Sequence, residues 1–313
     1  MGALLFPGQG SQIVGMGLEF YDHFDLVKKI FKQADEKLEY PISKIILEGP
    51  EEQLQLTKNT QPAILIVSYS IFSVLKNEFG FDLSQFKYFA GHSLGEYSAL
   101  VCSESLSLND ALYLLHARGT AMQEAVPVGK GSMIAVLGMK TNEIAELLKT
   151  KNYDQGICEI ANDNADGQII ISGNKDSVES FQILLKEKKI KTIPLKVSAP
   201  FHCSLMKPAA KIMEEKINNT KFKNPLFNII NNVTAKPEDN PNIIKKLLIE
   251  QIFSTVKWRE SIINMSEAGV MNFIEIGPGK ALCGMVKRTV KKANCFSINS
   301  IADIKKLKDE FKK

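Results

Sequence analysis

The pattern of apolar and polar positions reads as alternating strands and helices. Ala3 to Phe6 is a short unbroken apolar run, as a strand buried on both faces would be. It ends in a glycine turn, Pro7-Gly8-Gln9-Gly10-Ser11-Gln12. Asp22 to Leu38 has Phe24, Val27, Ile30 and Phe31 at helical spacing. Short helical or loop pieces fill 42–47 and 51–54. Thr60-Gln61-Pro62 then predicts the opening of a long helix, Ala63 to Phe79, with Pro62 near its first turn. Apolar on most faces, this helix is expected to lie buried. Phe86 to Ala90 predicts a strand and Glu96 to Val101 a helix start, with Gly91-His92-Ser93-Leu94-Gly95 between them. Ser107 with Asp110 three residues on predicts a capped helix from Leu108 to about Ala125.

Gly129-Lys130-Gly131 breaks the pattern, and a different rhythm follows. Strand 132–138, helix 141–150, strand 157–162, a polar turn Asn-Asp-Asn-Ala-Asp-Gly, strand 168–172, helix 175–188 and strand 190–197 give the order βαββαβ, a ferredoxin-like unit. From Ser198 the first rhythm resumes. It predicts helices over 204–218 (interrupted early by Pro208), 243–253, 258–268 and 280–291, and strands over 226–230, 272–276 and 296–299. The expectation is an α/β fold: an α/β-hydrolase-like main lobe with a parallel sheet, residues 1–128 and 198–313, carrying an inserted ferredoxin-like small lobe, residues 129–197. Strand-glycine-helix turns recur at Gly8-Gln9-Gly10, at Gly91 to Gly95 and at Gly277-Pro278-Gly279. Such turns gather at the carboxyl ends of parallel strands, where sites form, and the first two are expected to meet.

Composition narrows the function classes. The 313 residues are 44% hydrophobic, enough for a large core or two unequal lobes. A net charge of +4 with both signs dispersed does not suggest nucleic acid. No apolar run approaches a membrane span, and Met1 to Phe6 lacks the basic start of a signal peptide. Five cysteines (Cys102, Cys158, Cys203, Cys283, Cys295) form no C-x-x-C pair. They are read as reduced thiols in a cytoplasmic protein, or one of an organellar stroma or matrix if a leader has been removed, and not as zinc ligands. The lysine-rich end, Lys305 to Lys313, reads as a solvated helix face.

Gly91 to Gly95 is a G-x-S-x-G turn between strand and helix, the context of a nucleophile elbow. Ser93 then needs a base. Of the four histidines, His23 sits on a charged amphipathic helix, and His92 is adjacent to the serine on a turn where neighbouring side chains diverge. His202 follows a proline-stiffened re-entry segment, Ala199-Pro200-Phe201, and is favoured; His116 is second, and a core histidine is the alternative for each. No acid stands out as a third member, so a dyad or a backbone carbonyl behind the imidazole is expected. Arg118 interrupts an otherwise apolar helix. If buried, it needs an anion, and a guanidinium grips carboxylates in a two-pronged fork. Beside Ser93 it would point to an acyl group bearing a free carboxylate. The backbone N–H groups of Gln9 and Leu94 are candidates for an oxyanion hole.

The segments FPGQGSQ, GHSLGEYSAL, HARGTAMQ, SAPFH and IEIGPG, in this order, resemble the malonyl-CoA:acyl carrier protein transacylases, and the likeness spans nearly the whole chain. The resemblance implies transfer of malonyl from malonyl-CoA to the phosphopantetheine thiol of acyl carrier protein, in fatty acid synthesis, without a metal or redox cofactor. It implies Ser93 as nucleophile, His202 as general base and acid, Gln9 and Leu94 as oxyanion donors, and Arg118 as anchor of the malonyl carboxylate. Gln251 matches the position whose backbone carbonyl orients the histidine. Phe201 is similar to the malonyl-preferring type, although some bacterial members carry serine there. The carrier protein of this family is acidic, so a basic patch is expected; Lys188 and Lys189 on the small lobe and Lys287 and Arg288 on the main lobe are the candidates. A serine thioesterase or hydrolase with the same elbow, and a non-catalytic carrier-binding module, are the competing readings.

Overall fold

The computed structural model describes residues 1–150, 156–195, 197 and 199–311. Among the described residues ten strands form two sheets. The first contains β1 (Gly2–Phe6), β2 (Phe86–Gly91), β7 (Asn228–Ile230), β8 (Pro237–Glu238), β9 (Asn272–Ile276) and β10 (Asn294–Ile298). Its order is β10-β9-β1-β2-β7-β8, parallel throughout except for the short edge strand β8. The second contains β3 (Gly131–Leu137), β4 (Cys158–Ala165), β5 (Gln168–Asn174) and β6 (Lys191–Pro194), antiparallel in the order β4-β5-β3-β6. The fold is therefore the two-lobed α/β arrangement expected, with the βαββαβ order of the small lobe. Among the described residues no helix is long and apolar enough to cross a membrane.

The central strands β1 and β2 are nearly all apolar and buried, because helices cover both faces of the sheet. Helix Thr57–Asn77 lies almost wholly inside, as its composition requires. It opens six residues before the expected Ala63. Pro62 cannot donate to the preceding turn, but Asn59 and Thr60 secure that turn with side-chain bonds to the carbonyls of Gln53 (2.8 Å) and Leu54 (2.6 Å). Helix Leu108–Glu124 packs along it and starts at Ser107, whose hydroxyl accepts from the N–H of Asp110 as the capping pattern indicates. At Gly119 the two helices touch: a Cβ there would lie 2.5 Å from the Thr57 carbonyl oxygen.

Other expectations are corrected. Pro208 lies in the first turn of helix Lys207–Asn219, after a single 3₁₀ turn, Ser204–Met206, and does not interrupt it. The polar run at 162–165 is not a turn but the end of β4, which reverses only at Asp166-Gly167. The polar residues suit this strand because its outer edge is sewn to the main lobe. Asp163 N–H donates to the Val256 carbonyl (3.0 Å), Val256 N–H to Ala161 (2.9 Å), and Arg259 forks onto the Asp163 carboxylate. The cysteines are not all free. Cys283, on helix Ala281–Thr289, is joined to Cys295 on β10, with Cα atoms 5.2 Å apart, whereas Cys102, Cys158 and Cys203 are buried thiols. Only the folding of that helix back onto β10 brings this pair together. Ser198, where the main lobe was expected to resume, and the last two lysines of the tail lie outside the described residues.

The glycine turns after β1 and β2 do meet. His92 N–H donates to the Phe6 carbonyl at 3.0 Å, and a Cβ on Gly95 would lie 2.2 Å from the same oxygen. Gly95→Ala should therefore destabilise the fold by about 1–3 kcal/mol, as overpacking does. Gly284 is exposed in helix Ala281–Thr289 with open space at its Cβ position. Gly284→Ala should stabilise by about 0.5–1 kcal/mol. Urea unfolding of both variants checks the pair; equal midpoints would remove the steric account of the turn.

Candidate active site

The turn between β2 and helix Gly95–Cys102 is sharp enough to force Ser93 into the left-handed region, at φ 53°. A non-glycine residue there costs about 1–2 kcal/mol and must be held. Two glycines make the room: a Cβ on Gly91 would lie 1.9 Å from the Gly95 carbonyl carbon. Asn232, beyond β7, does the holding. Its Oδ1 accepts from Ser93 N–H at 2.7 Å and its Nδ2 donates to the Gly91 carbonyl at 2.8 Å.

His202 also has a left-handed backbone, φ 58°. Its Nε2 is 2.8 Å from Ser93 Oγ, and its Nδ1 is 2.8 Å from the backbone oxygen of Gln251. A carbonyl oxygen only accepts, so Nδ1 carries the proton and Nε2 presents its lone pair to the serine. Burial, and then the nearby positive charge of Arg118, bring the imidazole down to about 3, so it is neutral at ordinary pH. Among the described residues no carboxylate bonds this ring. Of the other histidines, His92 lines the same cavity but bonds Asn164 (2.8 Å), His116 packs its ring on Tyr40, and His23 is exposed.

Arg118 is 1% exposed. The close helix approach at Gly119 sets its side chain against the first turns of helix Thr57–Asn77, where Nη1 donates to Gln61 Oε1 at 2.9 Å. Nη2 donates to Gln251 Oε1 at 2.8 Å and to Ser93 Oγ at 3.2 Å, and Nε has no partner. Every group bonded to this buried cation is neutral.

Ser93, His202 and Arg118 open onto a cavity of about 720 Å³ between the lobes. Gln9, Leu94 and Phe201 line it from the main lobe, and Asn162, Asn164, Gln168 and Ile170 from the small sheet. The N–H groups of Gln9 and Leu94 have no hydrogen-bond acceptor among the described residues. Among those residues no group of three His, Cys, Asp or Glu side chains could hold a metal ion. A hydroxyl with a neutral base behind it, free amide donors beside it and a cation within reach can carry acyl transfer from an anionic acyl group.

The acyl transferase domain family matches residues 3–313. The Bacillus subtilis malonyl CoA-acyl carrier protein transacylase is 43% identical over 298 residues, 95% of this chain and 93% of that protein. Its Haemophilus influenzae counterpart is 40% identical over 96% of each. The chain belongs to the malonyl CoA-acyl carrier protein transacylase family. Solved structures agree: the acyl-carrier-protein S-malonyltransferase of Bartonella henselae superimposes with a TM-score of 0.96 at 39% identity over 100% of both chains. A malonyl-transacylase in complex with a type II PKS acyl-carrier protein does so with 0.94 at 37% identity, over 98% of this chain and 99% of that one.

In this transacylase-family chain Ser93, His202, Arg118, Gln9, Leu94 and Phe201 line one cavity, Gln251 lies buried behind His202 and Arg118, and His116 and the basic pairs stand outside it. Lys188 and Lys189 follow the helix Lys175–Glu187, which packs on Ile134, Val136, Ile169 and Ile171, the face of the small sheet turned away from the cavity. Arg288 stands nearer, donating to Gln168 Oε1 on the cavity wall at 3.0 Å, with Lys287 exposed beside it. Sequence reasoning missed Asn232, Gln61 and Glu96. Glu96 was visible in the elbow motif as an acid in an apolar helix; the other two gave no signal apart from their partners.

The depressed imidazole has a defined acid-side behaviour. In the unfolded chain His202 takes a proton near 6.5, and in the folded chain only near 3. The unfolded state thus binds more protons between those values, and this residue's share of stability is lost as pH falls through that window. Glu96 and Glu275, each raised to about 7 by burial, act oppositely, favouring the fold more as pH falls from 7 toward 4.5. The His202 ring resonance followed by NMR should show no titration from pH 8 to 5; a midpoint near 6.5 would contradict the neutral buried base.

Proposed function

We propose that this chain transfers the malonyl group of malonyl-CoA to the phosphopantetheine thiol of an acyl carrier protein through a malonyl-Ser93 intermediate. The observation that carries the substrate reading is Arg118, a buried cation 3.2 Å from Ser93 Oγ with no carboxylate bonded to it. A malonyl carboxylate supplies the missing anion. The names of the relatives support both donor and acceptor, and a family member solved with its carrier protein supports the partner.

His202 Nε2 takes the Ser93 proton as Oγ attacks the thioester carbonyl. Charge on the carbonyl oxygen falls to the N–H groups of Gln9 and Leu94. The tetrahedral adduct collapses, the C–S bond breaks, and the CoA sulfur leaves with the proton from His202. The acyl-enzyme then meets the carrier thiol, which gives its proton to His202 and attacks the ester. The second adduct returns that proton to Ser93 Oγ. The Gln251 carbonyl keeps the Nδ1 proton in place throughout and steadies the transient imidazolium. Phe201, buried on the cavity wall, bounds the acyl group. The cytoplasm, or an organellar stroma or matrix, is our reading of the setting, supported by the likeness to the malonyl CoA-acyl carrier protein transacylases of Bacillus subtilis and Haemophilus influenzae. The docking patch for the acidic carrier narrows to Lys287 and Arg288.

Malonyl-CoA mixed with the protein and a phosphopantetheinylated carrier protein should yield malonyl-carrier protein and a malonyl adduct on Ser93 by mass spectrometry. Release of free malonate and CoA alone would favour a hydrolase, and no adduct would leave a binding module. Arg118→Ala should lower the malonyl-to-acetyl transfer ratio about 10–100-fold, the loss expected for charge-assisted hydrogen bonds worth about 1.5–3 kcal/mol. An unchanged ratio would take Arg118 out of the anchor role. Charge reversal at Lys287 and Arg288 should raise KM for the carrier protein and weaken its salt dependence, with kcat little changed; a KM equal to the parent's would place the docking surface elsewhere.

A further inference from the structure

Glu96, in the first turn of the elbow helix, takes no part in the steps above, yet it is only 1% exposed. Burying a carboxyl is costly, and packing alone at this position would be met by an apolar side chain. Its Oε2 accepts from two groups, the Asn232 N–H at 3.0 Å and Gln251 Nε2 at 2.8 Å. Asn232 holds the elbow in its strained conformation, and the Gln251 amide holds Arg118. We infer that Glu96 is a positioning residue for the acyl-transfer reaction: it fixes the orientation of the Gln251 amide, which in turn holds Arg118 beside Ser93.

The two ends of that amide have different partners, and the role given to Glu96 rests on Ser93, His202 and Arg118 being the reacting set. Oε1 of Gln251 accepts from Arg118 Nη2 at 2.8 Å. A rotated amide would set its own N–H groups against the guanidinium, donor against donor. At the other end Nε2 faces three acceptors: Glu96 Oε2 at 2.8 Å, the Ser93 carbonyl at 3.1 Å and Asn232 Oδ1 at 3.3 Å. Each of the three also takes a second donor: the carbonyl from Glu96 N–H at 3.1 Å, Oδ1 from Ser93 N–H at 2.7 Å, and Glu96 Oε2 from Asn232 N–H at 3.0 Å. Glu96 therefore makes the shortest of the three contacts that set the rotation. Burial raises its carboxyl to about 7, but a carboxyl protonated on its other oxygen still accepts at Oε2, so the arrangement holds in both protonation states. Without Glu96 the amide keeps only the two longer bonds, and Arg118 loses a fixed acceptor. A malonyl group needs that cation in place, whereas an acetyl group does not.

Single-turnover acylation of Ser93 by malonyl-CoA and by acetyl-CoA, read by intact mass, tests this in the full-length protein. Glu96→Ala should lower the malonyl-to-acetyl rate ratio about tenfold, the effect of about one hydrogen bond to a charged network. Glu96→Gln, which offers an amide oxygen at the same place, should restore the ratio to within about threefold of the parent. Gln251→Met, which keeps the backbone carbonyl behind His202 but removes the amide, should reproduce the Glu96→Ala ratio, and the two changes together should add nothing further. Malonyl and acetyl rates falling in equal proportion in Glu96→Ala would overturn the inference by showing a purely structural role. A parental ratio in Gln251→Met would overturn it even if Glu96→Ala did not fold. Failure of the parent protein itself to acquire malonyl on Ser93 would instead defeat the proposed function.

Discussion

The burial of Arg118 governs this site. Moving a guanidinium out of water costs on the order of several kcal/mol, and a bonded carboxylate is the common remedy. Here three neutral oxygens stand in for it, from Gln61, Gln251 and Ser93. They satisfy hydrogen bonds without cancelling charge. The uncancelled charge reaches its neighbours: it helps keep the His202 imidazole neutral and works against the burial that raises the Glu96 carboxyl. It also leaves the cavity electrically incomplete until an acyl group brings a carboxylate.

The fold serves this arrangement by close backbone approach. Gly95 against the Phe6 carbonyl sets the elbow helix on the end of β1, and Gly119 against the Thr57 carbonyl sets the arginine helix on the buried helix Thr57–Asn77. Neither contact tolerates a methyl group, so each fixes a distance between elements far apart in sequence. The small sheet closes the cavity from the other side. Its strand β4 is sewn along Val256 and by the Asp163–Arg259 fork, so Asn162 and Asn164 face the site on a fixed edge.

What the sequence revealed and what it hid follow from how local each feature is. The elbow, its strand and its helix are contiguous, and hydrophobic periodicity with glycine spacing exposes them. The βαββαβ order is likewise a run of local patterns. Arg118 shows because a charge in an apolar helix breaks a pattern. Asn232 and Gln61 stay hidden because an asparagine after a strand and a glutamine before a proline have ordinary local explanations; only their partners, distant in sequence, give them meaning. The polar run at 162–165 misleads for the same reason. Its composition is that of a turn, and the strand it forms is held by Val256 and Arg259 of the other lobe. Cys283 and Cys295 show no motif spacing, and their pairing depends on one helix folding back on one strand.

The absence of an acid behind His202 can now be given a physical reason. A carboxylate hydrogen-bonded to Nδ1 would orient the imidazole as well as a carbonyl does, and would steady the imidazolium better. It would also lie near Arg118, since Gln251, whose carbonyl stands at Nδ1, bonds Arg118 through its side chain. The guanidinium would then have its counter-charge inside the protein and little need of one from the substrate. The Gln251 backbone carbonyl orients the ring while remaining neutral, and the buried carboxyl of Glu96 is held on the far end of the Gln251 amide. By this argument a dyad is not a triad lacking a member. Moving the acid one amide away gives up part of the base's electrostatic support and leaves Arg118 without a bonded carboxylate, as the proposed malonyl anchor requires.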